Sequence, residues 1–327
     1  MNVLPRKALL LLVLVSISGT AVAESSTEAR AWLERMTAAM IQMSYQGTFV
    51  YVRDGGAVET MRITHVTDET GIRERIYSVS GPHREVIRDR KGVRCILEDS
   101  ASVVEDQAVA SSYFPELPLS IIDSDATGYQ LETGREARIA GHTAIRVSIS
   151  PEDGFRYGYD FWLEKQTGLL LKWVLFNARH KPLAKLMFTN LVMGSAINLD
   201  ELESNSLAED FVEMKVFSPQ EAVVTQSSPR WQPAELPPGF QLTSHNHRPG
   251  TDGVYEHMVY SDGLAAVSVY VEQQGTGAPV KPGVSQLGTN NAYTRKQGDF
   301  QITVIGEVPA ITVKSIANEM ALSVASD

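Results

Sequence analysis

The apolar residues of this chain change their spacing at about Ser44, from the 3.6-residue period of a helix to the two-residue period of strands. They keep the second period until close to the C-terminus. Upstream, Ser25 with Glu28 three residues on forms a capping box, and Trp32, Met36, Ala39, Met40 and Met43 recur as one apolar helical stripe. Downstream, alternating strands are predicted over 45–52, 59–66 and 72–79, separated by Asp-Gly-Gly and Glu-Thr-Gly turns, and again over 84–89, 92–98, 101–106, 136–150, 156–164, 169–177 and 183–195. Short strands without helical patterns between them make an antiparallel meander, not a βαβ fold. Phe155, Tyr157, Tyr159, Phe161 and Leu163 share one parity, with Arg156, Asp160 and Glu164 on the other. The next strand, Leu169-Leu-Leu-Lys-Trp-Val-Leu-Phe176, is apolar on both faces and is expected to be covered on both. A sheet of this size closes on itself or wraps around a helix, and the N-terminal helix is the natural filler. A loop with a short helix is expected over 115–125.

The pattern loosens over 205–228, read as a linker with local strand near Phe211 to Phe217 that could equally be the last strand of the first domain. The expected division is therefore a leader over 1–23, a large domain over 24–204, the linker, and a small α+β domain over 229–327. The small domain opens with Trp231-Gln-Pro-Ala-Glu-Leu-Pro-Pro-Gly-Phe240, whose prolines pre-set an extended backbone. Two β-prone runs within 255–272 flank Asp262-Gly263, a dipeptide suited to a tight type I′ turn. This hairpin carries no reactive group and reads as a surface built to hold something. A terminal amphipathic helix is predicted over 311–325, with Val313, Ile316, Ala317, Met320 and Val324 on its apolar stripe.

With 29 Lys and Arg against 39 Asp and Glu, the 327-residue chain has a formal charge of −10. An acidic balance argues against general nucleic-acid binding, which needs cations to displace counterions. Residues 1–23 have the build of a secretory leader: Arg6 and Lys7, an apolar run over 8–17, and Ala21-Val22-Ala23 at the cleavage site. The residue after the cut is Glu24, not Cys, so no lipid anchor is expected, and the mature protein is placed in the periplasm. Cys95 is the only cysteine; no internal disulfide can form, and it is read as a buried small hydrophobe.

Little in the sequence suggests catalysis. It contains no Gly-x-Ser-x-Gly elbow, phosphate loop, His-Glu-x-x-His or redox Cys pair, so no catalytic residue, cofactor or metal is assigned. His245-Asn-His247 with His257 is the best metal-like cluster, but no carboxylate or thiolate completes it at a compelling spacing; solvated or partner-contacting histidines fit better. The aromatic set reads as ordinary core or as the lining of an apolar cavity between sheet and helix, with Trp32, Met36, Phe49, Tyr51, Phe161 and Trp173 as lipid-cavity candidates. Arg62, Arg73 and Arg75 are candidates for meeting lipid phosphates at its mouth. Trp231, His245, His257, Tyr260 and Tyr270 are candidates for contact with a protein partner.

Ala31-Trp-Leu-Glu-Arg with Tyr45-Gln-Gly-Thr-Phe-Val-Tyr, Trp162-Leu-Glu-Lys-Gln-Thr-Gly-Leu-Leu-Leu, Leu236-Pro-Pro-Gly-Phe, Tyr260-Ser-Asp-Gly-Leu-Ala and Gly306-Glu-Val-Pro resemble, in order, the MucB/RseB family of envelope-stress regulators. The resemblance implies a mainly β, α+β protein: a LolA/LolB-like unclosed antiparallel β-barrel wrapped on helices, plus a smaller C-terminal α+β domain. It implies a periplasmic negative regulator and no enzyme. Its partner would be the periplasmic part of a transmembrane anti-sigma factor, shielded from the site-1 protease until lipopolysaccharide or another lipid binds. A homo-oligomer is compatible with the sequence. The alternatives are a LolA-type lipid or lipoprotein carrier and, more remotely, a metal-dependent hydrolase using the His245 cluster.

Overall fold

The computed structural model describes residues 18–53, 56, 58–81, 83–90, 92–97, 113–115, 128–194, 197–203, 212–215, 229–250, 253–273 and 281–322. The chain opens with α1 (Ser18–Gln42) and continues through β1 (Tyr45–Arg53), β2 (Val58–Asp68), β3 (Gly71–Ser78), β4 (Arg84–Asp89), β5 (Gly92–Leu97), β6 (Tyr129–Ile139), β7 (His142–Pro151), β8 (Gly158–Glu164), β9 (Leu170–Phe176) and β10 (Pro182–Met193). A 3-10 turn (Leu199–Leu202) and β11 (Val212–Lys215) follow. These eleven strands form one antiparallel sheet in the order β11-β5-β4-β3-β2-β1-β10-β9-β8-β7-β6. Its end strands, β11 and β6, do not pair, so the sheet is unclosed, as the resemblance implied. Register shifts in β1, β6, β8 and β10 mark where ladder pairing is interrupted, the kind of bulge that bends a strand.

Strict alternation gives the sheet one apolar face, and α1 packs on it, against β6, β7 and β9. Ala29, Leu33, Met36 and Ala39 are the fully covered helix positions, with Trp32, Met40 and Met43 on the flank. The buried stripe is thus turned slightly from the predicted one and centres on Leu33. Phe49, Ile63, Ile76, Val147, Phe161, Leu175, Leu186 and Phe188 come down from the strands. Each fully buried side chain of this size contributes roughly 1.5–3 kcal/mol. At Gly158 a Cβ would stand 2.4 Å from the Phe176 ring, so only glycine admits this close approach.

The remaining elements are β12 (Trp231–Pro233), β13 (Gln241–Gly250), β14 (Gly253–Ser261), β15 (Ala266–Gln273), β16 (Gly283–Leu287), β17 (Asn290–Gln297), β18 (Phe300–Gly306), α2 (Ala310–Glu319) and β19 (Met320–Leu322). They form a second sheet, β13-β14-β15-β18-β17-β16, and a short β12-β19 ladder. Met258, Tyr260, Val267, Val269, Val271, Ile302 and Val304 face α2, which contributes Val313, Ile316 and Ala317 to a second core.

Several expectations are corrected. The helix does not start at the Ser25 capping box; it already runs from Ser18. The single strand predicted over 136–150 is the hairpin of β6 and β7, whose turn places Ala140 (φ 48°) and Gly141 (φ 88°) in the left-handed region. Two such residues in succession are what a type I′ turn needs. Asp262-Gly263 belongs instead to the four-residue loop between Ser261 and Ala266, with only Gly263 at positive φ. The terminal helix stops at Glu319, not 325, because the Arg295 guanidinium donates to the Ala317 and Met320 carbonyls (2.6 and 2.7 Å) and the chain turns into β19. Part of the predicted linker, β11, pairs with β5 of the first sheet. The strand at 101–106, the loop over 115–125 beyond Pro115 and the side chain of Cys95 lie outside the described residues. Among the described residues, no helix is long and apolar enough to cross a membrane.

Candidate functional site

The lipid-cavity candidates all fall on the helix-facing side. Phe49 and Tyr51 of β1, Phe161 of β8 and Trp173 of β9 project between the sheet and Trp32 and Met36 of α1. Tyr51 meets Trp173 with ring centroids 5.8 Å apart, and Phe161 stacks on Tyr159 at 5.4 Å. The Trp173 indole N–H donates to the Tyr113 carbonyl at 3.0 Å. Burial pushes the Tyr51 phenol up to about 12, so it stays a neutral donor. As packed, these side chains belong to the buried cluster of the first sheet and α1.

The three arginines sit elsewhere. Thr64 pairs with Arg75 and Val66 with Arg73 across β2 and β3, on the opposite parity from core residues Ile63 and Ile76. One step of parity puts them on the outer face. Each is already engaged: Arg62 with Glu201 at 2.5 and 2.7 Å, Arg73 with Asp68 at 2.6 Å, and Arg75 with buried Glu85 and with the Glu201 carbonyl at 3.1 Å. The hydrogen bond from Arg62 holds the Glu201 carboxyl below its ordinary range. Arg62 and Arg75 therefore pin the 3-10 turn to the sheet, and Arg73 closes on Asp68 beside the β2–β3 turn.

Four of the five partner candidates divide between the two faces of the second sheet, and Trp231 lies on the β12–β19 ladder. Trp231 is buried and packs edge-on against Phe300 at 5.2 Å, and Tyr260 lies in the second core. His245 is held at 2.8 Å by Glu256, which also accepts the Arg230 backbone N–H at 2.7 Å. All three are on the α2 side. His257 and Tyr270 face away from α2, half-exposed and stacked at 4.4 Å with a 1° interplanar angle. Among the described residues no group of three His, Cys, Asp or Glu converges as a metal site.

The most elaborate polar arrangement joins the two sheets. The side chains of Arg156, just before β8, and Asp262, in the β14–β15 loop, are 1 % and 0 % exposed and form an ion pair. The same guanidinium binds Asp153 and the Pro238 carbonyl and lies over the rings of Tyr129 and Phe240, both at 5.3 Å. Burial pulls the Arg156 pKa down, but the Asp262 contact outweighs it and keeps the group charged. Asp262 uses one oxygen to accept the Leu264 and Ala265 N–H groups (2.9 and 2.8 Å) and the other to accept Arg156 and the Tyr129 hydroxyl (3.1 Å). Leu264 at the loop tip packs against the first core.

Around this centre, Asn291 donates to the Tyr157 hydroxyl at 3.0 Å, Thr312 to the Phe155 carbonyl at 2.7 Å and Tyr159 to Glu307 at 3.2 Å. Glu307 keeps an exposed edge, yet the surrounding protein desolvates its carboxyl and raises its pKa despite hydrogen bonds from Thr289 and Tyr159. The loop that reads as a holding surface thus holds the chain's own first domain. Arg156, Asp153, Tyr129, Asn291 and Glu307 were not among the sequence candidates. The one available signal was a charged Arg156 set in an aromatic run.

Comparison with known proteins places these features in a wider setting. Residues 28–206 match the family model of the MucB/RseB N-terminal domain, and residues 225–321 match that of the C-terminal domain. The chain is 34% identical over 318 residues to the sigma factor AlgU regulatory protein MucB of Pseudomonas aeruginosa, covering 94% of each. It is 25% identical over 317 residues to the sigma-E factor regulatory protein RseB of Escherichia coli, covering 94% of this chain and 95% of that one. Among solved structures, the Pseudomonas aeruginosa MucA/MucB complex superposes with a TM-score of 0.71 at 30% identity, over 91% of this chain and 100% of the other. A crystal structure of MucB gives a TM-score of 0.63 at 28% identity, over 93% and 99%.

Proposed function

The chain belongs to the MucB/RseB family, and from that premise we propose that it is a periplasmic regulator that binds the periplasmic part of a transmembrane anti-sigma factor. Bound there, it shields that segment from the site-1 protease and restrains the envelope stress response until a lipid signal releases it. The observation that carries this reading is the likeness, over nine-tenths of the chain, to a MucB seen in complex with MucA. The leader predicted over 1–23 supports export to the compartment where such a segment is exposed.

In this reading the ring-lined interior of the first domain takes the acyl chains, and the half-exposed His257–Tyr270 pair contributes to the protein contact. The Arg156–Asp262 junction links the two. Lipid and anti-sigma segment are then coupled, each weakening the other by the same factor. Titrating the anti-sigma periplasmic fragment into the mature protein with and without lipopolysaccharide tests this. The expected result is a lower affinity in the lipid series. Equal affinities would remove the sensing role, and no binding in either series would remove the anti-sigma role.

A further inference from the structure

The outer face of the first sheet, away from α1, carries a patch in which Trp162 is half-buried against the first core while Lys185 and Met187 are exposed. One cross-strand row runs Arg146 (β7), Trp162 (β8), Lys172 (β9), Met187 (β10) and Val50 (β1); the next runs Asp160, Val174, Lys185 and Val52. The residues of opposite parity, Val147, Phe161, Trp173 and Leu186, are core, so these rows face outward. Strand 169–176 is apolar on both faces, yet the structure covers its middle on the inner side only: Trp162 and Val174 are half-buried and Met187 is 38% exposed.

The charge on this patch is not balanced. Asp160 is the acid in these rows, and it is already occupied by Arg146 (2.8 and 3.1 Å) and the Ser148 hydroxyl (2.7 Å). Lys172 feels the attraction of Asp160, but among the described residues neither it nor Lys185 forms a direct ion pair, so the cations outnumber the acid. The Lys172 ammonium sits 3.9 Å over the Trp162 ring, and its pKa is lowered by burial and by repulsion from Lys185. Unneutralised cations beside exposed apolar groups, in a chain of net charge −10, are a local exception.

We propose that this face docks on an anionic phospholipid surface. Trp beside Lys and Arg is the composition that settles at a bilayer interface, with the indole at headgroup level and the cations on lipid phosphates. A protein segment would want a concave groove or a free strand edge. These rows run across β7, β8, β9, β10 and β1 and include neither end strand, β11 nor β6, so they present no edge to pair with. Docking covers the apolar atoms and neutralises Lys172 and Lys185 together. It is a separate site from the ring-lined interior and would place the protein beside a membrane-anchored partner.

The test is co-sedimentation of the mature full chain with vesicles of mixed phosphatidylglycerol and phosphatidylcholine, against vesicles of phosphatidylcholine alone. Binding is expected to the anionic vesicles only, and to fall at about 0.3 M salt, where charges are screened within a few ångströms. Lys172→Glu with Lys185→Glu is expected to weaken it at least about tenfold. The exposed Lys185→Glu alone, a safer variant for folding, should give a smaller loss in the same direction. A blue shift of tryptophan emission on anionic vesicles should disappear in Trp162→Phe. Equal sedimentation with both vesicle types, sedimentation with neither, or a double variant that binds like the parent overturns the proposal. So does a double variant that loses the anti-sigma fragment while keeping the vesicles.

Discussion

The ring-filled interior of the first domain and the junction between the two sheets are both water-poor, but they are held by opposite means. In the interior, Phe49, Phe161, Phe188 and their neighbours exclude water with no charge at stake, and each contact is replaceable by another of similar volume. At the junction a single guanidinium, Arg156, is shared by two carboxylates, a carbonyl and two rings contributed by both sides. Burying an ion pair adds little net stability, whereas removing one partner strands the other. The interior therefore supplies stability to one domain, and the junction specifies how the two domains sit. In the proposed reading, where ligand and partner bind in different places, such a specified contact would let the two sites communicate.

That contrast can be broken experimentally. Phe161→Ala should cost about 3–5 kcal/mol, seen as a lower denaturation midpoint of the first domain. Full retention of that midpoint would mean that the ring set is a cavity lining and not a core. Asp262→Ala should cost about 3 kcal/mol by leaving Arg156 buried beside only Asp153. Its distinguishing mark is a split of one melting transition into two, and a single cooperative melt at the parental temperature would deny the junction its role. Gly158→Ala should cost about 1–3 kcal/mol, because the added methyl meets the Phe176 ring; thermal unfolding measures it. The smallest effect is expected at the β6–β7 turn. Ala140→Gly should be neutral or slightly stabilising, by at most about 1 kcal/mol, because alanine is strained at φ 48°. A clear loss of stability there would show that the turn does not set the hairpin.

The same contrast has a pH signature. Glu307 has its carboxyl pKa raised in the folded protein, so folding favours its protonated form. Its contribution to stability is present at and below the ordinary glutamate value of 4.5 and is lost as pH rises through the raised value. Glu201 behaves oppositely: its pKa is lowered by Arg62, and the stability it supplies above 4.5 is lost as pH falls through the depressed value. Acidification from neutrality should therefore first relieve the desolvation of the Glu307 charge, which outweighs the weaker hydrogen bonds from Thr289 and Tyr159, and only later release the 3-10 turn. Interdomain distance, followed by a fluorophore pair across the junction, should shorten or hold on mild acidification in the parent and become pH-independent in Glu307→Gln. Opening on mild acidification would contradict the assignment.

Much of the architecture was legible from alternation. The single N-terminal helix, the long meander and the inward parity of Tyr159, Phe161 and Leu163 could be read because burial on one face imposes a period of two. Phe49, Phe161 and Trp173, the strand residues offered as cavity lining, lie on the inward parity for that reason. The arginines were misplaced because composition draws attention to cations without saying which face they occupy; a one-residue step of parity moved Arg62, Arg73 and Arg75 outside. His245 and Tyr260 were misread for a related reason. Histidine and tyrosine suit a partner surface in general, but here His245 has Glu256 within 2.8 Å and Tyr260 points at α2. The Asp262-Gly263 turn was located, yet its shape was not, because loop length depends on which residues of β14 and β15 pair.

Local sequence by itself determined the period of each segment, the face that must be buried and the families of turn available, since all of these follow from neighbours a few residues apart. The tertiary structure alone decided that Asp262 would meet Arg156, 106 residues earlier, and Tyr129, 133 residues earlier. Such partners leave no periodic trace. A buried charge stays folded only where a distant group of opposite sign is already in place, and that condition is met in space and not along the chain.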